Sequence, residues 1–236
     1  GDTDSTFVLL NNRDPYDIQE LINIKLKEYL KEFFFLNKDI VYLEYEKKFS
    51  KFLLLEKKRY CGIMSFMDGK KVDRMFYRGI EVIQKSTIEY ARKKIEELLK
   101  FIMIENRDIS FIKKWLEQIH FEIETKQFDL SEITIVNKIN RPINSYKTTL
   151  PHIRIAKKLI NEKKILDVIE EKNSWSQIKY IVTNFKKREE IPISEYIGFF
   201  DREYYWEVKI YASLQRILKI VFPRVNWESL FDKQSK

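Results

Sequence analysis

The first five residues, Gly1-Asp2-Thr3-Asp4-Ser5, set two carboxylates two positions apart. On extended backbone alternate side chains share a face, so Asp2 and Asp4 point one way and Thr3 the other. Paired carboxylates ahead of an apolar run are hard oxygen donors of the kind Mg²⁺ takes, with waters or substrate phosphates completing its shell. The competing reading is a solvated turn, because Asp, Thr, Ser and Gly are all common turn formers. Spacing alone does not separate the two.

Basic residues are the second feature with chemical meaning. Residues 1–55 carry 8 Lys and Arg against 10 Asp and Glu, whereas residues 56–236 carry 36 against 26, so the whole excess behind the net charge of +8 lies downstream. Such a field suits a polyanion, because neutralising phosphates releases condensed counterions; a lysine-rich solubilising surface would look the same. Within this region Lys57-Lys58-Arg59-Tyr60 follows the apolar run Leu53-Leu54-Leu55, and Arg154, Lys157 and Lys158 stand at i, i+3 and i+4, one face of a helix. One cysteine, Cys61, excludes an internal disulfide, and with two histidines it is too few for an ordinary zinc cage. His152 follows Pro151 at a helix start and reads as a packing residue rather than a catalyst. Asp201 with Glu203 reads as a helix cap. The late aromatic group Phe199, Phe200, Tyr204, Tyr205 and Trp206 reads as core.

The elements that must position these residues follow from periodicity. The run Thr6-Phe7-Val8-Leu9-Leu10 predicts a short strand, and Asp14-Pro15 predicts a helix start, with Ile18, Leu21, Ile22, Leu26, Tyr29 and Leu30 recurring to about Phe34. Strands are expected over 40–46, 49–56, 59–66 and 72–77, the last pair joined by Asp68-Gly69. Ser86 and Glu89 have the form of a capping box before a long helix, and a second helix is expected from Asp108. Downstream, a strand near 133–136, a helix after Pro151, a strand over 178–182 and a helix from Arg202 to about Ile220 are expected. Residues 170–176 and 186–193 read as loops. There is no internal repeat or low-complexity linker, so any domain boundary is compact and falls near residue 56. No run is long and apolar enough to cross a bilayer and no secretory signal is visible. The chain begins with Gly1 rather than methionine, which suggests processing, cleavage or engineering. The expected compartment is cytoplasmic, nucleoid-associated in a prokaryote.

Several of these segments together resemble family B DNA polymerases. Gly1-Asp2-Thr3-Asp4-Ser5 before an apolar strand is similar to that family's third polymerase motif, and Leu53-Leu54-Leu55-Glu56-Lys57-Lys58-Arg59-Tyr60 to its strand leading into Lys-Lys-x-Tyr. In the family's order there follow Tyr77-Arg78-Gly79-Ile80-Glu81-Val82, then Tyr146-Lys147 before Pro151-His152-Ile153 and Ala156-Lys157-Lys158-Leu159, then Asp201 with Tyr204-Tyr205. The resemblance covers essentially the whole chain and is strongest to archaeal-type enzymes.

That resemblance implies an α+β fold: the C-terminal part of a palm over 1–55, antiparallel sheet plus helix, then a mainly helical, DNA-binding thumb over 56–236 with a small antiparallel sheet. It implies two-metal nucleotidyl transfer of dNTPs onto a primer 3′-hydroxyl, using two Mg²⁺ ions shared with a partner chain. Asp4 matches the aspartate bridging the metals and Asp2 its less critical neighbour. Lys57, Lys58 and Tyr60 match residues that follow the primer–template just behind the active site, and Arg59 between them is read as DNA-binding with them. Lys147, Arg154, Lys157 and Lys158 match the region that grips duplex phosphates. Near the C-terminus Arg224, Trp227, Leu230 and Phe231 have the spacing of a sliding-clamp peptide, although Arg224 stands where glutamine is usual; the alternative is a terminal helix packing its own apolar face.

The departures matter as much. Gln84-Lys85-Ser86 replaces the family's basic pair and aspartate, which puts any salt bridge there in doubt. No Ser-Leu-Tyr-Pro-Ser type motif, no lysine-bearing finger motif and no exonuclease segment is visible. The chain alone is therefore expected not to polymerise DNA, and a large N-terminal chain is expected to supply fingers, the rest of the palm and proofreading. A split polymerase, an intein product and a chain cut at the active site all fit. The other readings are a noncatalytic module that binds primer–template duplex, and an interaction protein whose basic surface is incidental.

Overall fold

The computed structural model describes residues 5–35, 41–84, 86–147, 150–162 and 177–231. The fold is α+β, with two three-stranded antiparallel sheets and helices that dominate the second half. The chain divides into two compact units, Gly1–Arg78 and Gly79–Lys236. Residue 56, where the sequence suggests a change of domain, is the last residue of a strand inside the first unit. Among the described residues no helix is long and apolar enough to cross a membrane.

In the first unit α1 (Pro15–Phe34) starts as expected: the Asp14 side chain accepts from Tyr16 N at 2.8 Å, and proline occupies the first turn. It ends where Phe35 turns left-handed at φ 54°. The next segment corrects the sequence reading, because residues 41–46 form no strand. Their backbone polar groups are taken instead by two amides one helical turn apart on α1. Asn23 donates to Leu43 O at 2.9 Å and accepts from Leu43 N at 2.8 Å, while Gln19 accepts from Tyr45 N at 2.6 Å. Residues 6–10 are not a strand either; Phe7 lays its ring on Phe52 and Tyr60, at 4.8 and 5.1 Å between centroids, without a backbone ladder.

The sheet β1 (Lys47–Glu56), β2 (Arg59–Met67) and β3 (Lys70–Arg78) matches the expected strands and is ordered β1-β2-β3. Asp68 and Gly69 both have positive φ, the two-residue hairpin turn that this dipeptide favours. Phe49, Phe52, Tyr60 and Phe76 gather on the sheet. Gly62 makes room for them: a Cβ there would lie 2.6 Å from both Lys51 O and the Phe49 ring.

In the second unit the capping box expected at Ser86 does not form, and α2 (Glu89–Lys100) starts after Ile88, which makes no side-chain cap. Ile88 is buried, so the chain enters the helix extended in order to place that side chain in the core. α3 (Ile109–Thr125) is capped by Asp108 as expected and buries Ile112, Trp115, Leu116, Ile119 and Ile123, a stripe at helical spacing. A short helix, α4 (Leu130–Ile133), takes the start of the expected strand near 133–136, leaving β4 (Ile135–Lys138). Then come α5 (Pro151–Asn161), β5 (Gln177–Asn184) and β6 (Glu189–Pro192), with sheet order β4-β5-β6. β6 corrects the loop expected over 186–193; the turn is confined to 185–188, with Arg188 at φ 58°. The loop expected over 170–176 lies outside the described residues. The last helix runs from α6 (Arg202–Tyr204) through a π-helical stretch, Tyr205–Tyr211, into α7 (Ala212–Val221).

Candidate nucleic-acid interface

Asp2 and Asp4 lie outside the described residues, which begin at Ser5. Among the described residues no group of three or more His, Cys, Asp and Glu could hold a metal ion. The fit of Mg²⁺ to this chain therefore rests on donor chemistry: two carboxylates offer the hard oxygens that the ion requires.

Lys57 and Lys58 form the β1–β2 turn and are exposed, with Lys58 in the left-handed region at φ 64°. Opposite-strand pairing of Glu56 with Arg59 closes the turn, and the Arg59 guanidinium lies 3.4 Å from the Glu56 carboxylate. Tyr60 is half-buried in the aromatic group on the sheet, 5.3 Å from Phe52 and 6.0 Å from Phe76 between centroids. Of the four residues read as one DNA-following segment, two lysines face solvent, the arginine braces the turn and the tyrosine anchors it.

The structure divides the basic residues of the second unit more sharply. Lys147 and Lys157 are exposed. Arg154, placed by spacing on the same face as Lys157, gives its guanidinium to Glu190 on β6: Nε donates to Oε2 at 3.0 Å and Nη2 donates to Oε1. Lys158 donates to Glu195 at 2.9 Å and stands 4.0 Å from Glu162. Helix α5 buries His152, Ile153, Ile155 and Ala156. His152 faces the Tyr146 ring, and burial lowers its pKa below the ordinary 6.5, as befits a packing residue.

Three further placements bear on the sequence reading. Glu81, in the segment where the family's basic pair is missing, is buried and pairs with Arg216 on α7, a partner that local sequence does not reveal. Asp201 accepts from Tyr204 N at 3.0 Å, which is the cap expected, and also from Phe185 N at 2.8 Å, tying the β5–β6 turn to the last helix. Phe200, Tyr204, Tyr205 and Trp206 are buried as expected, whereas Phe199 is exposed. Residues 222–231 form turns rather than a terminal helix. Trp227 is nonetheless 1% exposed, its indole donating to Phe222 O at 3.2 Å and its carbonyl accepting from the Tyr211 hydroxyl. Phe231 packs against Trp206 and Tyr211, and Leu230 is half-buried.

The first unit thus presents two exposed lysines at the β1–β2 turn, and the second presents Lys147 and, on α5, Lys157. The DNA polymerase family B model matches residues 1–221, and the chain belongs to that family. It is 29% identical over 182 residues to the DNA polymerase delta catalytic subunit of Plasmodium falciparum, covering 77% of this chain and 16% of that protein. It is 24% identical over 225 residues to a DNA polymerase of Thermococcus gorgonarius, covering 93% of this chain and 27% of that one. The family B DNA polymerase of Pyrobaculum calidifontis shares the fold with a TM-score of 0.55 at 17% identity, over 84% of this chain and 24% of its own. The chain thus spans between 16% and 27% of the length of these proteins.

Proposed function

We propose that this chain is the C-terminal part of a DNA-directed DNA polymerase, with the first compact unit, residues 1–78, ending the palm and the second, residues 79–236, forming the thumb, and that it works with a large N-terminal chain carrying the rest of the palm, the fingers and the exonuclease. The observation that carries this reading is the family match through residues 1–221, which begins at the paired carboxylates themselves. Two features of the first unit support the need for further protein. Helix α1 has no buried residue and ends on exposed Phe33 and Phe34 followed by the exposed capping Phe35, and residues 6–10 expose Phe7, Val8 and Leu9.

In this reading Asp4, with Asp2 beside it, would hold Mg²⁺ jointly with the partner chain. Bound there, Mg²⁺ supplies Lewis acidity toward the primer 3′-hydroxyl and charge neutralisation for the incoming dNTP. The chain's own residues do the positioning. Lys57 and Lys58 follow the primer–template phosphates, with Tyr60 and Arg59 keeping the turn in shape; Lys147 and Lys157 take phosphates further along the duplex. Phosphate contacts carry no sequence information, as a replicative enzyme requires. Sliding-clamp binding through Trp227, Leu230 and Phe231 would require Trp227 to leave the core, so we assign that segment to packing.

The test is Mg²⁺-dependent primer extension by the protein alone, its large partner alone and the two mixed. Extension confined to the mixture is the expected result. A mixture that assembles on primer–template DNA and does not extend it would move the reading to a noncatalytic duplex-binding module.

A further inference from the structure

Arg154, Lys157 and Lys158 lie within one turn and a half of α5, and the fold assigns them different tasks. Arg154 meets Glu190 through two hydrogen bonds, and the Glu190 side chain is 4% exposed. Tyr180 and Tyr204 stand in the electrostatic neighbourhood of Glu190, and the Tyr180 hydroxyl donates to Asn137 at 3.0 Å instead. Moving Arg154 to a DNA phosphate would leave a buried carboxylate without its cation, which is far more unfavourable than one solvent-screened phosphate contact is favourable. Lys158 is also engaged, by Glu195. Lys157 sits about 100° around the helix from Lys158, is exposed, and makes no ion pair among the described residues.

We propose that Glu190 and Arg154 are positioning residues, a buried latch between β6 and α5 that sets the helix so that Lys157 alone of the three reaches the duplex backbone. The proposal rests on the thumb reading above. Arg154 is therefore not a DNA contact, despite its spacing, and Glu190, which has no place in the family resemblance, is a determinant of DNA affinity. The latch acts on the rotation and tilt of α5, so its loss disables Lys157 without removing it.

A double-mutant cycle read as salt dependence separates latch from contact. The intact protein is titrated with labelled primer–template DNA over a range of KCl, with melting temperature recorded for every variant. Lys157→Ala is expected to lower the slope of log affinity against log salt by about 0.9, the share of one phosphate. In an Arg154→Met background, adding Lys157→Ala is expected to produce no further loss, and in Glu190→Gln it should weaken binding less than about twofold. Exchanging the pair, Arg154→Glu with Glu190→Arg, should restore the full Lys157 effect, and with a melting temperature matching the parent's this variant carries the test where Glu190→Gln does not fold. Additive losses, with the slope falling by two phosphates in the double variant, would make Arg154 a direct contact and end the latch proposal while leaving the thumb reading intact. A Lys157→Ala protein indistinguishable from the parent would instead remove the α5 grip, and the proposal with it.

Discussion

Lys58 combines two demands that pull in opposite directions. At φ 64° it occupies a conformation in which an L side chain crowds its own backbone, by about 1–2 kcal/mol, yet it is exposed at the tip of the turn read as a DNA contact. Lys58→Gly should therefore stabilise the fold by up to about 1 kcal/mol while weakening primer–template binding, so thermal melting and salt-dependent titration should move in opposite senses. His152 provides a pH signature of its own. Its pKa is lowered in the fold, so the unfolded chain binds the extra proton first as acid is added. Stability should be full above about pH 6.5 and fall as the pH drops through that value towards the depressed folded pKa. In melting temperatures measured from pH 8 to 5, His152→Gln should flatten that component; an unchanged profile would remove His152 as its source. Burial likewise pushes the Cys61 thiol up to about 12, so it should resist alkylation near neutral pH until the sheet opens.

The elements that follow from local chemistry were legible in the sequence, and those that depend on distant partners were not. α1, α3 and α5 announce themselves through Asp14-Pro15, Asp108 and Pro151 and an apolar period, all within a few residues of each helix start. Residues 41–46 have strand composition, but the amides of Gln19 and Asn23, some twenty residues earlier, hold their backbone. β6 is four residues long and begins with two glutamates, so it reads as a polar loop. The same obscurity covers the site: Glu190 looks like surface charge until the hairpin folds it against Arg154, whereas the exposed Lys57-Lys58 turn could be placed from its flanking strands. Gly62 was also silent, because its role depends on Phe49 crossing from β1. Gly62→Ala should destabilise the first unit by about 1–3 kcal/mol, measurable by denaturant titration. Trp227→Ala should cost the second unit about 3–5 kcal/mol; retention of stability would free this segment for clamp binding.

At the scale of the molecule, the two units carry complementary parts of the proposed activity, the first the carboxylates and the basic turn, the second most of the positive charge. The apolar exposure of α1 and of residues 6–10 is accounted for by the proposed assignment, since the rest of a palm would cover both. The account stands or falls on whether Asp4 belongs to the metal site of an assembled polymerase. The direct measurement is Mg²⁺-dependent primer extension by that assembly carrying Asp4→Ala, with melting temperature and primer–template affinity verified as unchanged. The prediction is a loss of about 10³-fold in rate, with a smaller loss for Asp2→Ala; extension at the parental rate with Asp4→Ala would contradict the assignment.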